Sequence, residues 1–250
     1  MADSLIQSVI RFKISGAMAH FRKFYTNSSS LSYPFPPRTT VAGIIAAILG
    51  IERDVYYDLL SMEKARIGLA LKSSYRSIMQ TINFPTTKKG EKGRTQIPTE
   101  LILPSNGEKK LVYEIVFSHC NNELMDEFYK KLDNPVFPLY LGLTECPAVI
   151  EEKKYYKNSG FEVECGKKEI EVQGIIPISR VIDFEFLAVG NSEDLRFYKD
   201  RIPLDFSDDR KLKEVGDVIW EHKGKSFAAK VKGLKIKFLD ENAYFVLMEP

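Results

Sequence analysis

The sequence predicts an α+β fold whose elements run β-α-β-β-α-β, with a strand-rich region behind them. Three observations predict it. Apolar and polar residues alternate over short stretches around Ile10, Leu69 and Ile115, and two other stretches repeat at helical spacing. After about Val149 the text becomes glycine-punctuated and strand-like. With 44% hydrophobic and 28% charged residues among 250, the chain has enough apolar material for a sizeable core and is not a disordered segment.

The elements follow in order. From Leu5 to Ile14, residues Ile10, Phe12 and Ile14 share one face and Val9, Arg11 and Lys13 the other, which predicts a half-buried strand with positive charge outward. In SYPFPPRTTVAGIIAAILG (Ser32–Gly50), Pro34, Pro36 and Pro37 stiffen an extended approach. Thr39 or Thr40 is placed to cap a helix, Val41, Ile44, Ile45, Ile48 and Leu49 recur at its spacing, and Gly50 is its stop. Ala42, Gly43, Ala46 and Ala47 would allow close approach to a sheet. Arg38 beside the helix start makes a candidate phosphate seat. Ala65–Lys72 and Leu111–Phe117 alternate as second and third strands. Glu123–Leu132 is helical through Leu124, Phe128 and Leu132, with Asn121 or Asn122 as cap, and Val136–Leu143 is expected to close the series as a strand. That order is the one of ferredoxin-like and RRM-type domains. It gives a domain over residues 1–148 and a β-rich domain or elaboration over 149–250.

One connection is far longer than a hairpin needs. Between the second and third strands, TTKKGEKGRT (Thr86–Thr95) holds four cations, one acid and two glycines within a thumb over about residues 76–100. It reads either as a basic finger that orders on nucleic acid or as a solvated loop. Near the C-terminus, a hairpin around Lys232-Gly233 would gather Lys230, Lys232, Lys235 and Lys237 on one face, for binding or simply for solvation.

The net charge of +2 conceals an asymmetry. Residues 1–125 carry 16 Lys/Arg against 10 Asp/Glu (+6), and residues 126–250 carry 20 against 24 (−4), which suggests a nucleic-acid face in the first half and a protein contact in the second. Cys120, Cys146 and Cys165 are odd in number and lack metal-ligand spacing, as expected of reduced cytosolic thiols. No signal peptide or membrane segment is read, so the expected location is the cytoplasm. Neither a metal nor another cofactor is expected. His20, His119 and His222 lie far apart, and no nucleophile motif appears. His20 lies in HFRKFY, where Arg22, Lys23 and Tyr25 could support metal-independent RNA cleavage. The same hexapeptide suits a binding edge, with aromatics on bases and cations on phosphates, and this is the preferred reading.

Three segments together resemble one family. PFPPRTTVAGIIAAILG after the first strand, IPTELILP before the third and PLYLGLTECPA at the expected fourth are similar to the Cas-five family, a CRISPR-associated RAMP-superfamily subunit of the type I Cascade complex. The resemblance spans residues 5 to about 148. It implies a ferredoxin-like domain with a protruding thumb, and a subunit that grips the 5′ repeat-derived handle of the guide RNA in antiviral defence. It also implies contact with the backbone filament, which the subunit caps, with the large subunit, and with target DNA near the PAM-proximal end. Carried over, the thumb supplies Arg76, Lys88, Lys89, Lys92 and Arg94, and the RNA-facing loops supply His20, Arg22, Lys23, Tyr33 and Arg38. The family's late glycine-rich loop is matched poorly by KGLKIKF. Some members cut precursor RNA with a Tyr/Lys/His set, and no adjacent Lys-His pair occurs here. A non-catalytic RNA-binding subunit is therefore expected. A metal-independent endoribonuclease and a generic single-stranded RNA-binding protein are the alternatives.

Overall fold

The computed structural model describes residues 6–85, 93–172, 174–183, 187–188 and 195–249, so Lys88, Lys89 and Lys92 lie outside the described residues. In chain order the elements are β1 (Ser8–Gly16), β2 (Phe21–Arg22), β3 (Ser32–Tyr33), α1 (Arg38–Leu49), β4 (Ala65–Leu71), β5 (Tyr75–Pro85), β6 (Arg94–Pro104), β7 (Leu111–His119), α2 (Asn122–Lys131) and β8 (Val149–Lys157). There follow β9 (Phe161–Glu164), β10 (Lys168–Val172), β11 (Ile176–Pro177), β12 (Leu187–Ala188), β13 (Phe197–Phe206), β14 (Leu212–Glu221), β15 (Phe227–Val231), β16 (Lys235–Phe238) and β17 (Ala243–Val246).

The fold is α+β. Its central sheet has the order β4-β7-β1-β8, antiparallel throughout. One face carries Ile10, Phe12 and Ile14 against the helices, where Phe128 of α2 meets Phe12 edge-on at 5.6 Å. The other face carries Val9, Ala70 and Val116 against Ile236, Phe238 and Phe245 of a second sheet, ordered β12-β15-β10-β17-β16-β9. A third sheet, β11-β14-β13, adds Ile202, Leu204, Val218 and Trp220 to the helix-side core. The C-terminal half thus shares two cores with the N-terminal half and builds a third, around Ile170, Phe227 and Val246, from its own residues.

Several elements form for local reasons. Asn121 caps α2, its Oδ1 accepting from the backbone N–H groups of Glu123 at 2.9 Å and Leu124 at 3.2 Å. Gly50 ends α1 in the left-handed region at φ 75°, where a side chain would be strained. The α1 start differs from expectation: Pro37 is the cap residue, and its carbonyl accepts from Thr40 at 2.8 Å and Val41 at 2.9 Å. Thr39 and Thr40 already lie inside the first turn, two and three positions past the cap residue, too late for their hydroxyls to cap.

Other expectations are corrected. The outward face of β1 is buried: Arg11 is 6% exposed, ion-paired to Glu114 at 2.6 Å and lying over Phe238 and Phe245. The fourth strand is β8, across the boundary expected at residue 148. Residues 136–143 instead close the end of α1, with the Val136 and Phe137 N–H groups donating to Ile48 and Ala47. The lysine hairpin does not form, because β15 pairs with β10 and β12 while β16 pairs with β17 and β9. Lys235 is 1% exposed, held by the carbonyls of Gly166 and Gly233. Gly43 turns away from the sheet, and a Cβ there would face the Tyr56 hydroxyl at 3.1 Å.

Candidate nucleic-acid interface

The long connection is a two-stranded ribbon. β5 and β6 pair without a register shift from Tyr75↔Pro104 to Pro85↔Arg94, eleven residues a side and roughly 35 Å long. Most of its residues beyond Tyr75 are exposed, Arg76 and Arg94 among them. Its root is stitched to the body. Ala19 and Ile102 exchange N–H···O bonds at 2.9 Å, Glu100 N–H donates to the Ser30 carbonyl, and the Glu100 carboxylate accepts from Ser32 N–H.

Beneath the ribbon runs a groove of about 1030 Å³. Its floor is the outward face of α1, with Thr39, Thr40, Gly43 and Ala47. Its walls are the 51–57 loop, the 137–143 segment, the end of β13 and the ribbon, which contributes Phe84 from its far end and Thr99 from its root. Gly142, at φ 91°, packs so closely on the β2 approach that a Cβ would sit 1.8 Å from the His20 carbonyl oxygen. The glycine of PLYLGLTECPA therefore sets the wall position.

The structure sorts the expected site residues that it describes into three groups. Arg22, Arg76 and Arg94 are exposed. Lys23 is half-buried and ion-paired to Asp200 at 2.7 Å, with Tyr25 donating to the same carboxylate. His20, Tyr33 and Arg38 are interior. The His20 ring spans the Glu100 carbonyl (2.7 Å from Nδ1) and Ser30 Oγ (2.8 Å from Nε2), and burial pushes its pKa below the ordinary value. Tyr33 is fully buried and donates to the Arg201 carbonyl at 2.6 Å, its phenol pushed up by burial.

Arg38 is the clearest correction. Its side chain is 1% exposed, with Nε 2.5 Å from Glu249 Oε1, Nη1 3.1 Å from the Leu204 carbonyl and Nη2 3.1 Å from the Leu60 carbonyl. Glu249 Oε2 in turn accepts from Ile67 N–H at 2.8 Å. The arginine fastens the C-terminal segment to α1 and β4; it is not a solvent-facing phosphate seat.

Sequence reasoning offered Phe24, within HFRKFY, as a ring for bases but passed over Phe84, Phe137 and Tyr140 on the groove. Phe24, Phe84, Phe137 and Tyr140 are exposed there. For Phe137 and Tyr140 the signal lay in PVFPLYLG, where Pro135 and Pro138 argue against the central strand expected over 136–143. Arg53 and Arg210 at the groove lip were also missed; they lean on Asp54 at 3.3 and 4.0 Å. Among the described residues, no group of three His, Cys, Asp or Glu is placed to hold a metal ion, and no helix is long and apolar enough to cross a membrane.

Two solved structures are similar to this chain. One, described as the crystal structure of a Cas protein, is 18% identical over 56% of this chain with a TM-score of 0.37, and the match spans 62% of that chain's length. The other belongs to a CRISPR RNA-guided surveillance complex, 14% identical over 90% of this chain and 91% of that one, with a TM-score of 0.49. No curated protein matches the sequence significantly. The model of the CRISPR-associated protein (Cas5) family matches residues 9–211, most of the chain including β1 to β13. The chain belongs to the CRISPR-associated Cas5 family.

Proposed function

We propose that this protein is a non-catalytic, guide-RNA-binding subunit of a type I Cascade complex, holding the 5′ repeat-derived handle and capping the backbone filament. The observation that carries this reading is the groove beneath a long exposed ribbon, lined by rings and rimmed by Arg22. Aromatic faces beside cations are what a single strand needs. Family membership supplies the CRISPR context. The sheet order β8-β1-β7-β4, with α1 after β1 and α2 after β7, supports a ferredoxin-like core. Backbone and large subunits, and target DNA near the PAM-proximal end, are the partners this reading assigns, with the cytoplasm as the location.

The histidines support the absence of catalysis. Both ring nitrogens of His20 are engaged within the protein, and so are those of His119, through the Leu59 carbonyl and Asn121 N–H. A general acid or base needs a ring nitrogen open to substrate. His222 is the histidine left for the second reading, an endoribonuclease: its Nδ1 has no hydrogen-bond partner among the described residues, but that atom is buried, and its ring lies 4.4 Å from that of Tyr75. Tyr75 is itself a poor base, its phenol pushed up to about 12 by burial. Incubating the full chain with precursor repeat RNA in chelator tests the choice. Binding without a defined product supports the subunit. A discrete product lost in His222→Ala would establish the nuclease.

A further inference from the structure

The groove is rich in rings and poor in free charge. Phe24, Phe84, Phe137 and Tyr140 are between 38% and 44% exposed, and they come from three separate segments that face one cavity. Three arginines line the same cavity. Two of them share one acid: Asp54 lies 3.3 Å from Arg53 Nε and 4.0 Å from Arg210 Nη1, and also accepts from Tyr57. Glu52 adds a further negative charge. Arg22 meets no carboxylate among the described residues, its Nη2 donating only to the Thr26 carbonyl at 3.3 Å.

A phosphate backbone laid along the 51–57 wall would find carboxylates beside its cations and would lose the Coulombic gain that phosphate binding requires, and the floor itself (Thr39, Thr40, Gly43 and Ala47) carries no cation. Uncharged base faces find the opposite: large rings already in water and ready to stack. The hydroxyls of Thr39, Thr40 and Tyr56 at the floor offer hydrogen bonds to base edges. At about 1030 Å³, the cavity has room for more than one base. Exposed Arg94, paired with Pro85, lies on the ribbon face opposite Phe84 and Thr99, where a backbone turned away from the floor would run, while exposed Arg76 shares the Phe84 face at the ribbon root.

We infer that the groove takes unpaired nucleobases of single-stranded RNA, stacked among Phe24, Phe84, Phe137 and Tyr140, with the sugar-phosphate backbone turned outward to Arg22 and the ribbon. The inference rests on the RNA-binding function proposed above and adds the orientation of the strand. Charge complementarity carries it, with an uncharged floor of Thr39, Thr40, Gly43 and Ala47 for neutral bases and Arg22, which meets no carboxylate among the described residues, for phosphates.

The test titrates the full chain with two probes across a salt series: single-stranded RNA of the CRISPR repeat sequence, and an RNA of equal length with abasic riboses over the handle. The abasic probe should bind at least about tenfold more weakly with the same salt slope, because the phosphates are unchanged. Tyr140→Ala and Phe137→Ala should each weaken intact RNA about 5- to 150-fold, leave the abasic probe nearly unaffected, and melt within a few degrees of the parent. Tyr140→Phe, which keeps the ring, should bind like the parent. Equal affinity for both probes, or alanine variants that bind normally, overturns the base-inward orientation while leaving RNA binding intact. No binding of either probe overturns the function itself, and this inference with it.

Discussion

Replacing Arg38 by alanine should unfold this protein earlier without acting through RNA. The side chain is 1% exposed and satisfies Glu249 at 2.5 Å together with the carbonyls of Leu204 and Leu60, both at 3.1 Å. Asp205 is 3.9 Å from Nη1. Removing the guanidinium leaves a carboxylate at 0% exposure without its counterion and strips a donor from three interior carbonyls, those of Leu204, Leu60 and Ala65. Breaking a buried ion pair from one side costs about 3–5 kcal/mol. For a chain of 250 residues each kcal/mol lowers the melting temperature by about 2–4 °C, so a drop of about 6–20 °C is expected. A calorimetric or fluorescence melt reads this directly. Arg38→Met combined with Glu249→Leu should recover part of the loss, since an apolar pair replaces both charges. An Arg38→Ala protein that melts with the parent yet loses RNA affinity would refute the reasoning and return the arginine to a phosphate.

Four further outcomes are expected. Alanine at Lys88, Lys89, Lys92 and Arg94 should weaken repeat-RNA binding and lower the slope of log K against log[salt] by about 0.7 for each phosphate no longer neutralised; an unchanged slope in a filter-binding titration would make the segment a solvated loop. His20→Ala should destabilise the ribbon root by about 1–3 kcal/mol, seen as faster hydrogen exchange over residues 98–104, because Ser30 and Glu100 lose a buried partner. His20, His119 and His222 all have pKa values pushed below the ordinary 6.5 by burial, so the unfolded chain binds protons first. Stability should therefore be full above about pH 6.5 and fall as the pH drops below it, as denaturation at stepped pH would show. Gly142→Ala should be among the most damaging single substitutions, since its Cβ falls 1.8 Å from a backbone oxygen that cannot yield without moving the β2 approach; a soluble variant with parental melting would contradict that packing.

What the sequence disclosed was local. The Asn121 cap, the Gly50 stop and the alternation in β4 and β7 are written in neighbouring residues, and so is the long basic connection that became the ribbon. What it concealed depends on partners far along the chain. Arg38 finds Glu249 211 residues away, and Tyr33 finds the Arg201 carbonyl 168 away. An arginine beside a helix start looks the same locally whether it meets phosphate or carboxylate. The alternation in β1 also fits either a solvated face or one covered by a second sheet. Glu114, a lone acid within apolar LVYEIVF, was the available hint that Arg11 would be paired inside. The rings of the groove were legible one by one, but only the folded chain brings Phe24, Phe84 and Tyr140 to one cavity.

The most direct measurement is photocrosslinking of the full chain to repeat-derived single-stranded RNA carrying 4-thiouridine in the handle, with the adducts mapped by mass spectrometry. The account predicts adducts on Phe24, Phe84, Phe137 or Tyr140, and their loss when the handle is replaced by an unrelated sequence. Adducts confined to the outer face of the six-stranded sheet, around Glu169 and Lys230, would contradict it.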